Sequence, residues 1–154
     1  MEITKKWLDK QGACADGVKW FVESKFEGIE GIALVKKTMK KKMDWANWLV
    51  VRLMTHDQQI RYAIFAAEQV INIYEEKYPD DKRPREAIEA AKRYLADKTE
   101  GNRQAASTAA DAAYAAAYAA HAAHAAANAA YAAAKSDMFK TIINYGIEII
   151  QEGR

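Results

Sequence analysis

One run of residues constrains this chain more than any other. Ala105 to Ala134 reads AASTAADAAYAAAYAAHAAHAAANAAYAAA, and 21 of its 30 residues are alanine. Alanine is the strongest helix former, so the run predicts a helix, over about residues 102–135. Its exceptions are Ser107, Thr108, Asp111, Tyr114, Tyr118, His121, His124, Asn128 and Tyr131. Most recur at steps of three or four and so fall on one stripe. With Ser107 as zero, Asp111, Tyr114, Tyr118 and His121 lie within about 40° of it at standard helix geometry. The mean step of about 3.5 residues gives the stripe a gentle left-handed supercoil. The run is long enough to span a membrane. Its Asp, two His, Asn and three Tyr, on a barely apolar alanine background, argue against that reading.

The rest of the chain reads as further helices. Glycine and proline are scarce, at seven and two residues, and no run alternates apolar and polar residues as a strand does. The expected fold is all-α: one domain, residues 1–154, a bundle of about seven helices around the alanine-rich one. Its length suffices to bury a core. Ile3 to Gln11 forms a short helix ended by Gly12. Asp16 to Lys25 follows, with Val18, Phe21, Val22 and Phe26 as candidate core. Gly28 and Gly31 mark a turn or a short broken helix. Gly31 to Met43 carries Ile32, Leu34, Val35 and Met39, then five lysines within Lys36 to Lys42. That run fits a solvated helix end complementing the dipole, or a phosphate-binding patch.

Asp44 is placed to cap a helix from Trp45 to Met54, where Arg52 can lie over Trp48 one turn away. Thr55-His56-Asp57-Gln58 is a capping box for a helix running to about Lys77, with Ile60, Ala63, Ile64, Ala67, Ile71 and Tyr74 as its apolar face. Arg61 and Glu68 lie on an adjacent face. Pro79 stops this helix, and Pro84 suits the first turn of the next. There Ile88, Ala91, Tyr94 and Leu95 face a partner. Arg83 and Arg85 flank Pro84; they can grip a carboxylate or phosphate bidentately, or pair with Asp80, Asp81, Glu86 or Glu89. Lys98 to Asn102 is a polar break. Ser136-Asp137 is placed to cap a last helix, Met138 to Gln151, with Phe139, Ile142, Ile143, Ile147 and Ile150 inward.

Composition narrows the function classes. A net charge of +2 is too small to imply a nucleic-acid polymer or a membrane as partner. The one cysteine, Cys14, cannot form an intramolecular disulfide. The N-terminus lacks the apolar core of a signal peptide, so a cytoplasmic location is expected. No phosphate loop, zinc-protease motif or serine elbow is present. Asp111 and His121 stand ten residues apart on one helix, about 15 Å by helix rise, and cannot form an acid–base pair. We therefore expect no enzyme and no cofactor. For the stripe three readings stay open: a buried polar network satisfied by other helices, a pocket in which rings stack on a flat ligand, and a metal site at His121 and His124, which lacks a third ligand at recognisable spacing.

Two stretches carry a resemblance. Arg61-Tyr62-Ala63-Ile64-Phe65-Ala66-Ala67-Glu68-Gln69-Val70 leads into Tyr74-Glu75-Glu76-Lys77-Tyr78-Pro79-Asp80-Asp81-Lys82-Arg83-Pro84-Arg85, and Ala87-Ile88-Glu89-Ala90-Ala91 and the alanine run follow. From roughly Trp45 to Tyr131 the chain resembles the alanine-rich helical immunity-protein family of bacterial polymorphic toxin systems, relatives of which also occur in phage genomes. The R-P-R-x-A-I-E-A-A segment is its most specific part. The resemblance implies an all-helical, non-catalytic protein acting by stoichiometric binding. Its partner would be a toxin or defence protein, or, in a phage anti-defence role, a small nucleotide-like ligand. The binding residues it implies are Arg61, Glu68, Arg83, Arg85, Asp111, Tyr114, Tyr118 and His121, with Glu89 beside them. A homo-oligomer is compatible with this.

Overall fold

The computed structural model describes residues 1–108 and 131–153. Asp111, Tyr114, Tyr118, His121, His124 and Asn128 lie outside the described residues. The fold is all-α apart from one two-stranded ladder. In chain order the elements are β1 (Glu2–Ile3), α1 (Lys5–Lys10), α2 (Ala15–Glu23), β2 (Ile29–Glu30), α3 (Gly31–Lys41) and α4 (Met43–Arg52). Then come α5 (His56–Glu68), α6 (Ile71–Lys77), α7 (Arg83–Ala96), helical residues 100–108, named α8, and α9 (Tyr131–Glu152). The residues divide into two compact units, one of Met1–Thr55 with Phe139–Arg154, the other of His56–Met138.

In the first unit the chain ends α1 and α2 with the same device. Gly12 (φ +73°) follows the α1 cap residue Gln11. Its N–H donates to Asp9 O, and that of Ala13 donates to Leu8 O. In α2 the equivalent residue is Lys25 (φ +55°). Its N–H donates to Val22 O, and that of Phe26 to Phe21 O. Both are Schellman motifs, whose usual apolar clasp in α2 is the edge contact of Phe21 and Phe26 rings, 6.3 Å between centroids. Gly12 thus ends α1 as the sequence predicts. The end of α2 carries no glycine to announce it.

The ladder was not predicted. β1 and β2 pair antiparallel, Glu2 opposite Glu30 and Ile3 opposite Ile29. Two residues per strand are too few for alternation to register. The pairing also moves Ile3 out of the predicted first helix, which starts at Lys5 with Thr4 Oγ1 accepting from Trp7 N–H at 3.1 Å. Glu30 caps α3 by accepting from Ala33 N–H at 2.9 Å. Asp44 does not cap α4. The cap position is Lys42, and Asp44 sits in the first turn, where its charge still suits the helix dipole.

The core of this unit comprises Ile3, Leu8, Phe21, Ile32, Leu34, Val35, Ala46, Leu49 and Val50, joined by Ile143, Ile147, Ile149 and Ile150 of α9. Val22, predicted to be core, is half exposed at 50%. It follows Phe21, which takes the inward direction at that turn with 1% exposure. Met39 is only partly buried, and its neighbour Thr38 goes inward instead. The Thr38 hydroxyl lies 2.8 Å from Val35 O and 3.1 Å from Leu34 O, so its own helix satisfies it.

In the second unit the predicted long helix to Lys77 is broken. α5 stops at Glu68, a turn at Gln69 and Val70 intervenes, and α6 begins at Ile71. Val70 N–H donates to Ala67 O, three residues back, and the Gln69 side-chain amide reaches Phe65 O at 3.4 Å. The tighter bond and the competing amide end the regular ladder there. This break splits one expected helix into two. Pro84 sits in the first turn of α7 as predicted. Among the described residues of this unit, Tyr62, Ile71, Ile88 and Ala90 are buried. Tyr62 was not among the predicted apolar positions, and Ala63, which was, is exposed.

The predicted break at Lys98 to Asn102 is shorter than expected. Thr99 Oγ1 accepts from Asn102 N–H at 3.3 Å, which caps α8, so Gly101 and Asn102 are already helical. The predicted cap at Ser136-Asp137 is also overturned, because α9 runs through both from Tyr131. The preceding alanines favour continuing a helix over opening a new one.

Candidate functional site

The second unit holds the described candidate binding residues, Arg61 and Glu68 on α5 and Arg83, Arg85 and Glu89 on α7. α7 packs on α5, and the loop from Tyr78 to Lys82 folds α7 back beside α6. Pro79 and Pro84 restrict that loop at both ends.

The charged side chains there engage one another. Arg83 grips Asp81 in a fork, Nε to Oδ1 at 2.8 Å and Nη2 to Oδ2 at 2.7 Å, and its backbone N–H also reaches Oδ1 at 3.1 Å. The Tyr74 hydroxyl donates to Asp81 Oδ2 at 2.8 Å. Arg85 grips Glu75 in a second fork at 2.5 and 2.6 Å, with Asn72 Oδ1 3.5 Å from its Nη2. Lys92 bridges Glu68 at 2.8 Å and Glu89 at 2.9 Å. Lys98 pairs with Asp57, and Arg103 with Glu100 at 2.6 Å. Arg61 is exposed on α5.

Proton affinities follow from these pairs. The Arg83 guanidinium, aided by the Tyr74 hydroxyl, holds the Asp81 carboxyl well below the usual carboxylate range. Arg85 lowers Glu75, and Lys92 lowers Glu89. Tyr74 is raised by burial first and by its bond to Asp81 second. Burial pushes the Tyr62 phenol up to about 12. The Asp81, Glu75 and Glu89 carboxylates are thus held in their ionised form, the state suited to a fixed pattern of charge.

Of the predicted residues, Glu68, Arg83, Arg85 and Glu89 share this polar region, but three separate clusters divide them. Arg83 found Asp81, one of its expected partners. Arg85 found Glu75, ten residues back on α6, which was not among them. Lys92 was missed altogether, although its i,i+3 relation to Glu89 was visible. An open depression is lined by Asp80, Asp81, Lys82, Arg83 and Glu86. Among the described residues no group of His, Cys, Asp and Glu could hold a metal ion. None of the described helices is long and apolar enough to cross a membrane.

An all-α fold presenting paired, ionised side chains on helix surfaces defines a helical protein with a patterned polar face. A family model described as Imm-5 like putative immunity protein matches residues 49–151, and the chain belongs to that family. Membership gives it an immunity-type role. No curated protein matches the chain, and no solved structure does.

Proposed function

We propose that the chain neutralises a toxin of a bacterial conflict system by stoichiometric contact, without chemistry on it. The observation that carries this reading is the immunity-family match over residues 49–151. The paired side chains of α5, α6 and α7 support it. Arg83 and Arg85 each already hold a carboxylate in a fork. Such pairs fix charge positions in advance, so a protein partner is met by a preorganised pattern. A defence protein bound by a phage-borne relative would be met by the same means. A nucleotide-like ligand beside the alanine helix would instead require the arginines to exchange carboxylate for phosphate.

The test is protection. Toxin domains from the same genome are expressed inducibly with and without this chain, and survivors are counted. The complex is then weighed by native mass spectrometry. Protection with a one-to-one protein complex supports the proposal. Protection with a carried small molecule and no protein complex overturns it in favour of ligand sequestration.

A further inference from the structure

Between the end of α1 and helices α2, α3 and α4 lies a pocket of about 270 Å³. Its walls are aromatic and aliphatic: Trp20, Phe21, Leu34, Trp45, Trp48 and Leu49. Trp20 and Trp45 touch, 5.8 Å between centroids, and the edge of Phe26 braces Trp20 at 5.3 Å. Polar groups are few. The Thr38 hydroxyl is committed to its own helix, and besides the indole N–H groups the lining offers the Cys14 thiol and the Asp44 carboxylate. Cations stack on two of the pocket's own rings: Arg52 Cζ stands 3.9 Å from the Trp48 centroid and Lys42 Nζ 5.4 Å from that of Trp45. On α3, Lys37 and Lys41 are exposed and lie within a helical turn of the lining residue Thr38, and Lys37 Nζ stands 5.1 Å from the Phe26 centroid. Met1–Thr55 carries eleven Lys and Arg against seven Asp and Glu.

We infer that this pocket receives one aromatic side chain, Trp or Tyr, presented by an acidic segment of a partner protein. The volume lies at the lower edge of small-molecule sites, about 300–1,000 Å³, and suits the single buried anchor residue that a protein hot spot supplies. The ring walls favour edge and offset contacts with an aromatic anchor. Asp44 offers an acceptor to its N–H or O–H. The stacked Arg52 and Lys42 favour acidic residues on either side of it. Of the lining residues only Leu49 falls within the family-matched segment, so the family match does not assign this pocket. The inference rests on the neutralisation reading for its partner, but not for its chemistry.

The probe is the peptide acetyl-Glu-Glu-Trp-Glu-Glu-amide, titrated into labelled protein and followed by the indole N–H resonances. Trp20, Trp45 and Trp48 shift, while Trp7, which is not in the lining, stays. The Lys-flanked peptide and the peptide with Ala in place of Trp bind at least about tenfold more weakly. Gly17→Leu plugs the pocket, since a Cβ there stands 3.3 Å from Cys14 Sγ and 3.8 Å from the Trp45 ring. It also replaces a helical glycine by a better helix former, so its fold is checked by circular dichroism. Alkylation of Cys14, the chain's one cysteine, with N-ethylmaleimide is an independent plug. Both abolish the shifts. Equal binding of Glu- and Lys-flanked peptides, undiminished binding to either plugged protein, or indole alone binding as tightly as the peptide overturns the inference. In the protection assay, Gly17→Leu loses protection by about 30-fold in toxin affinity, the equivalent of about 2 kcal/mol for a lost hot spot. A Gly17→Leu protein that protects fully removes the pocket from the toxin contact. Wild-type protein that protects against nothing defeats the neutralisation reading and leaves the peptide result standing.

Discussion

Replacing Lys25 by glycine will stabilise the first unit, and replacing Gly12 by alanine will destabilise it. Both residues occupy the left-handed position that closes a Schellman motif, at φ +55° and +73°. That conformation costs an L-residue about 1–2 kcal/mol. Glycine escapes the cost but gains about 0.4–1 kcal/mol of unfolded-state freedom, which works against it. The difference leaves Lys25→Gly more stable by about 0.5–1 kcal/mol. Gly12→Ala runs the same balance backwards. No atom lies within 4 Å of a Cβ built on Gly12, so backbone strain alone is measured and packing does not confuse it.

The consequence reaches the pocket. Lys25 sets the direction in which Phe26 returns to Phe21 and Trp20, and those two rings wall the pocket. All four tryptophans, Trp7, Trp20, Trp45 and Trp48, belong to this unit, so indole emission during urea or thermal melting reports on it selectively. For a protein of this size the expected shift in Tm is roughly 1–4 °C, upward for Lys25→Gly and downward for Gly12→Ala. A lower Tm for Lys25→Gly would mean that the lysine side chain contributes more than its backbone strain costs. A Gly12→Ala protein as stable as the parent would refute the argument outright.

Other expectations are simpler. Ile143 is fully buried, so Ile143→Ala should cost about 2–5 kcal/mol in urea denaturation; a loss below 1 kcal/mol would place it outside the core. Asp81 has a depressed folded pKa, so its stabilisation is fully present above the unfolded value of about 3.9 and fades as pH falls through the lower folded value. Asp81→Asn should therefore be less stable than the parent at pH 7, with the gap closing only at the acid end; a gap independent of pH would remove the Arg83 pair as its cause. Burial raises Tyr62 from 10.0 to about 12, so its ionisation costs the fold on the order of 2–3 kcal/mol, with no effect at neutral pH and stability falling as pH rises from 10 through about 12. Absorbance at alkaline pH should show late-ionising tyrosines, Tyr62 and Tyr74 among them, and Tyr62→Phe should remove the part of that late step that Tyr62 supplies.

What the sequence made legible is what one turn of chain decides. Gly12 ends α1, Pro84 opens α7, and Arg52 lies over Trp48, because each outcome depends on residues at most four apart. The expectations that failed needed a comparison the local pattern cannot make. Ser136-Asp137 is a sound cap signal in isolation, but the alanines before it favour continuing a helix, and α9 runs through. Val22 and Phe21 both suit a core, and only the packing of α2 says which turns inward. The α5–α6 break turns on one side-chain amide and one tight bond, at a point where apolar periodicity carries on undisturbed.

The candidate binding residues divide in the same way. Arg83 found its carboxylate two residues away and was readable; Arg85 found Glu75 across the loop and was not. The spacing of Trp45 and Trp48 is plain in the sequence. Trp20 joins them from another helix, and that meeting turns half-buried rings into walls around space. An anchor pocket is by nature a non-local object, since a single helix cannot enclose a volume. A reading that weights local pattern will therefore find the caps and local ion pairs of such a protein first and its binding pocket last.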